Sequence, residues 1–125
     1  MAKNISTTIA INAKQVTVEW TKTAALEMDK RMVPIVVELR LYFSCLVKKI
    51  VYFHEAAPDR DVLKVTDKLS LFFRPVTSTA CTFDVAERLG HQPEIDLDNP
   101  NVRKMAPKRV EIDFIKGKWR GEFWM

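Results

Sequence analysis

Imidazoles and thiols, the side chains best suited to moving protons near neutrality, ligating metals or attacking carbon, are few in this chain. Two histidines, His54 and His91, and two cysteines, Cys45 and Cys81, are its whole supply of imidazoles and thiols in 125 residues. His54 is followed by Glu55, Asp59 and Asp61, whose nitrogen and oxygen atoms suit a divalent ion. The spacing matches no ligand motif, and acids around a proline such as Pro58 commonly serve turn geometry and solvent, so no metal ligand is assigned. A histidine with a carboxylate in hydrogen-bond reach is the minimum for general acid–base work, and His54 with a nearby carboxylate is the form this sequence offers to a small hydrolase or isomerase. A nucleophilic Cys45–His54 pair fits poorly. An unbroken strand puts odd and even positions on opposite faces, and a helix puts positions nine apart about 180° from each other, so only a bulge would unite them. His91 follows Gly90, where a cationic ring favours a helix C-terminus. No nucleotide, metal or cofactor signature is present, so no catalytic residue and no cofactor is assigned, and binding is favoured over catalysis.

Two further constellations point to binding. In the first, the even positions of the central apolar stretch (Glu38, Arg40, Tyr42, Ser44) and those of a following segment (Lys68, Ser70, Arg74) share one sheet face. If the sheet curves, that face lines a small-molecule cavity with Arg40 beside Glu38 as a clamp; if it stays flat, the face is wetted. In the second, Lys118, Trp119 and Arg120, with Arg103, Lys104, Lys108 and Arg109 before them, interleave bases with aromatics as a nucleic-acid platform would. The competing reading packs the indole inward and leaves the lysines to guard an edge strand. A net charge of +4 is small for a domain devoted to nucleic acid, so the second constellation ranks below the first.

The elements that must position these residues follow from periodicity. Val33 to His54 carries more unbroken apolar surface than any other stretch, and its odd positions Ile35, Val37, Leu39, Leu41 and Phe43 are all apolar. A 3.6-residue period also fits, but branched and aromatic residues dominate, so residues 35–44 are expected as a strand. Residues 46–54 read as a second strand or a continuation past a bulge, with an amphipathic helix as the alternative. Ile5–Ile11 and Val16–Trp20 read as a hairpin joined by Asn12 to Gln15, and residues 22–33 as a short helix capped by Thr21 or Thr23. A third pair of strands is expected at 62–65 and 69–73, ending near Pro75. A short helix is expected at about 80–89 from two signals, the capping pattern Asp84–Glu87 and a glycine at Gly90. Residues 91–108 read as a long loop, and residues 109–124 as a hairpin turning at Lys116-Gly117.

The sum is a single α+β domain of 125 residues, mainly an antiparallel sheet of hairpins, curved or flat, with about two short helices on one face. With 47% apolar and 29% charged residues the composition is that of a folded globular chain. Glu38, Arg40, Lys48 and Lys49 interrupt the longest apolar run, so no membrane span is expected, and the polar start of the chain gives no export signal. A cytoplasmic location with reduced cysteines follows as the expectation. Five acids against one base from Asp84 to Asp98, then seven bases against three acids to the end, suit self-association as a homodimer. Met28, Met32, Trp20 and Trp124 are the apolar candidates for that surface.

Overall fold

The computed structural model describes residues 4–43, 47–78, 94–97 and 99–125. They form two mixed sheets packed face to face. The first has the order β1 (Ile5–Ile11), β2 (Lys14–Trp20), β8 (Arg109–Ile115), β9 (Lys118–Trp124). The second has the order β4 (Val47–His54), β3 (Ile35–Phe43), β6 (Leu69–Ser78), β5 (Leu63–Thr66), with β7 (Glu94–Asp96) on the far end of β6. Helix α1 (Lys22–Asp29) follows β2 and tucks Ala24 and Met28 into the core. Its first turn is closed by Thr21, whose Oγ1 accepts the Ala24 N–H at 3.1 Å.

Alternation builds both layers. Odd positions Ile35, Val37, Leu39 and Leu41 of β3, with Leu69 and Leu71 of β6, meet Val16, Val18, Trp20, Val110, Ile112 and Phe123 of the first sheet. Each such side chain contributes roughly 1.5–3 kcal/mol on burial, against about 0–1 kcal/mol for an exposed ion pair, so apolar packing between the sheets holds the fold. Two tight turns set registers. Asn12-Ala13, with φ of 51° and 65°, closes β1 on β2, and Lys116-Gly117, with φ of 52° and 78°, closes β8 on β9. Ala13 is the strained member, because a Cβ disfavours the left-handed region.

Several expectations change here. Antiparallel pairings predominate, five of seven among the described residues, but both sheets are mixed: β2 runs parallel to β8 and β3 parallel to β6. The chain returns to each central strand only after intervening elements, which local patterning does not reveal. One α-helix lies among the described residues, and the helix expected at 80–89 falls outside them, as do Cys45, Cys81 and His91. Residues 47–54 are a strand antiparallel to β3, not a helix. Pro75 does not end β6; it pairs with Leu41 and its carbonyl accepts the Leu97 N–H at 2.9 Å, so the strand runs on to Ser78. The expected long loop contains β7 and a 3-10 turn at Val102–Lys104. Met28 and Trp20 are core residues, whereas Met32 is 95% exposed and Trp124 partly so. Among the described residues no helix is long and apolar enough to cross a membrane.

The two sheets touch edge to edge where β4 crosses β9. A Cβ built on Gly121 would lie 2.8 Å from Val51 Cγ1 and 3.1 Å from the Phe53 ring, so this approach needs glycine. Gly121→Val is expected to cost about 1–3 kcal/mol by overpacking, read as a lower denaturant midpoint at unchanged m-value. An unchanged midpoint would show that the strands do not meet there.

Candidate functional site

The even-numbered face of the second sheet is buried along β3 and open to solvent along its β4 edge, where Lys48 and Tyr52 are exposed. Val36, Glu38, Tyr42, Ser70 and Phe72 are all buried on it. Glu38 is 3% exposed, an expensive place for a carboxylate unless it is paired on every side. Register supplies the partners. On one side Tyr52 lies opposite Glu38 and His54 is the diagonal neighbour; on the other, Phe72 lies opposite and Arg74 is paired with Arg40.

The resulting network is tight. Arg40 Nε donates to Glu38 Oε2 at 2.5 Å, His54 Nε2 lies 2.8 Å from Glu38 Oε1, and Arg74 Nη1 is 3.6 Å from Oε2. Arg74 Nε donates to Asp96 Oδ1 at 2.5 Å, and Arg60 Nη2 reaches Asp96 Oδ2 at 3.2 Å from the loop after β4. Aromatic rings flank the cations: the Arg40 guanidinium sits 4.3 Å from the Tyr52 centroid and that of Arg60 5.1 Å from Phe72. The His54 ring stacks on Phe72 at 6.1 Å and stays 37% exposed. No buried side-chain polar atom lacks a partner among the described residues.

Burial alone would raise the Glu38 pKa. The hydrogen bonds from Arg40 and His54, with the charges of Arg40 and Arg74, outweigh it and hold the carboxyl below its ordinary value. Asp96 is likewise pushed up by burial and brought below its ordinary value by Arg74 and then Arg60. Both carboxylates are therefore ionised near neutrality, facing three guanidiniums.

Of the residues expected to line this face, Glu38, Arg40 and Arg74 converge, and Tyr42 and Ser70 are buried on the same face. Lys68 does not join them: its Nζ donates to the Arg31 carbonyl. Ser44 lies outside the described residues. His54 finds its carboxylate in Glu38, sixteen residues back, instead of in neighbouring Glu55. Arg60, Asp96 and Phe72 were not anticipated. Arg60 lies in the loop after β4 and Asp96 ends the three-residue β7, stretches too short or irregular to show a periodicity, whereas the β3–β4 pairing alone points to His54.

The basic hairpin is arranged differently. Trp119 stacks on Phe53 at 5.7 Å and against Phe114 at 4.9 Å, and Phe123 is buried edge-on to Phe73. Arg109 is bound to Glu19 at 2.8 Å and Glu111 at 2.5 Å. Arg103 and Lys104 stand on the 3-10 turn, Lys108 is tied to Trp124 through the backbone, and Lys118 and Arg120 are exposed on β9. Among the described residues no three His, Cys, Asp or Glu side chains gather as metal ligands. No family model, no curated protein and no solved structure matches this chain.

A carboxylate whose folded pKa is depressed contributes stability above its unfolded pKa of about 4.3 and loses it as pH falls through the folded value. Glu38→Gln is therefore expected to lower stability by about 1–3 kcal/mol at pH 7 and by less at pH 3. Urea unfolding at the two pH values measures this. An equal loss at both would mean that the ionised carboxylate does not matter.

Proposed function

We propose that this chain is a small-molecule binding module that holds an anionic ligand, carboxylate or phosphate in chemistry, against the polar face of its second sheet. The observation that carries this reading is the position of Glu38. Buried and ionised, it keeps Arg40 and Arg74 side by side on adjacent strands, so cationic donors are placed before any ligand arrives. A guanidinium has five N–H donors. Among the described residues, Arg60 uses Nη2 and Arg74 uses Nε and Nη1 in these ion pairs, which leaves further donors for an added anion. Asp96 is 53% exposed and already shows how a carboxylate sits between Arg60 and Arg74. Tyr52, exposed beside Arg40, offers apolar surface to a flat ligand body.

The distance of 2.8 Å between His54 Nε2 and Glu38 Oε1 favours a second reading, proton transfer to or from the same ligand. With Nε2–H directed at Glu38, Nδ1 becomes the basic nitrogen, Glu38 fixing its orientation.

Titration with inorganic phosphate and with benzoate at low salt, followed on the His54 and Phe72 resonances, tests both readings. Saturable shifts are expected, weakened roughly tenfold or more in Arg60→Gln and Arg74→Gln and reduced by added salt. The same spectra report the His54 tautomer, expected with its proton on Nε2. Absence of any saturable shift, or equal binding by the two variants, contradicts the anion site; a proton resident on Nδ1 contradicts the proton-transfer reading.

A further inference from the structure

An open sheet edge is a row of unpaired N–H and C=O groups, which proteins blunt with charge, proline, bulges or shortness. Most edges here are blunted. β9 is met by β4, which carries Lys48 and Lys49. β5 is four residues long, carries Lys64 and shifts register against β6, and β7 has only three residues. β1 has none of these devices. Its seven residues contain no charge and no proline and pair with β2 in unbroken register, and among the described residues no strand lies on its other side.

Register says which groups this edge offers. Thr17 in β2 and Thr21 just after it donate their N–H groups to the Lys108 and Ile112 carbonyls at 3.1 and 3.2 Å, so odd positions of β2 bond toward β8 and even positions toward β1. Lys14, Val16, Val18 and Trp20 therefore take up the backbone groups of their partners Ile11, Ile9, Thr7 and Ile5. Ser6, Thr8 and Ala10 are left pointing N–H and C=O away from the sheet, and all three are exposed.

The edge is complementary to itself. An antiparallel second copy of β1, related by a two-fold axis at Thr8, sets Thr8 opposite Thr8, Ser6 opposite Ala10, Thr7 opposite Ile9 and Ile5 opposite Ile11. The outward pairs then complete about six backbone hydrogen bonds. Val18, Thr7, then Ile9 and Val16 of the copy continue the inward layer, while Thr17 and Thr8 of both copies make one threonine row outside. Ile5, 42% exposed in the single chain, gains Ile11 of the copy as a neighbour. No charged side chain lies in either paired strand to oppose the contact. An edge of seven residues is about 24 Å long and buries less than the roughly 1,200 Å² of a permanent interface, so the pairing is a dissociable one.

We propose that β1 is a self-association edge, on which a second copy of this chain adds antiparallel about Thr8 and joins two four-stranded sheets into one continuous sheet.

Sedimentation velocity over a concentration series tests this, with a monomer–dimer equilibrium of Kd about 10–500 µM expected. The Thr8 side chain is exposed, so Thr8→Lys and Thr8→Glu leave the monomer folded, as an unchanged unfolding midpoint will show. The two-fold axis sets each new charge against itself, and each variant alone is expected to dimerise at least about tenfold more weakly. Mixed in equal amounts they are expected to associate again, since opposite charges then meet at the axis. Amide exchange at Ser6, Thr8 and Ala10 of the unsubstituted chain, expected to slow as concentration rises, keeps the test decisive if a variant fails to fold. Self-association of Thr8→Lys equal to that of the unsubstituted chain, a mixture no tighter than its components, or exchange at these amides independent of concentration would each overturn the proposal. So would a chain still monomeric at about 1 mM, which would leave this edge to a strand of another protein.

Discussion

A buried carboxylate on β3, with one arginine two residues on along its own strand and another on the neighbouring β6, is the constraint on which the polar half of this molecule depends. Arg40 and Arg74 are register partners on β3 and β6, and like charges placed opposite each other repel. Glu38 lies within ion-pair distance of both and of His54, turning a repulsive row into an attractive one. Its own desolvation is tolerable only because those partners surround it. Remove the charge, and the guanidiniums lose the reason to stand together.

The apolar half obeys a different constraint. β3 lies between β4 and β6 with both faces covered, which is why its run from Ile35 to Phe43 is so rich in branched and aromatic side chains. Its odd face closes the sandwich; its even face supports the ion network. The two halves are mechanically linked, since the same β4 that delivers His54 to Glu38 delivers Phe53 to Trp119 and meets β9 at a glycine.

Much of this was legible in the residues. Period-two alternation located β1, β2, β3, β8 and β9, because alternation reports directly which side chains leave water. Capping chemistry marks the start of α1 at Thr21 or Thr23, and the structure uses Thr21. The pairing of Glu38 with Arg40 was visible because positions two apart in a strand share a face. What escaped depends on contacts between distant segments. The parallel pairings of β2 with β8 and β3 with β6 arise from long returns of the chain, and Arg74 meets Arg40 only through one of them. Ala13 carries no signal for a left-handed turn, so the residues predict a longer connection in the first hairpin than the two-residue turn that forms. Pro75 read as a strand end because a missing N–H usually is one, yet β6 continues past it with its carbonyl bonded to Leu97.

The functional reading therefore rests on one protonation state. Direct observation of the Glu38 side-chain carboxyl carbon by NMR across a pH titration decides it. The account predicts an ionised carboxylate whose midpoint lies below the ordinary glutamate value of about 4.3; a midpoint above that value, or a neutral carboxyl at pH 6, would mean that Glu38 is buried uncharged and does not hold Arg40, Arg74 and His54 in place.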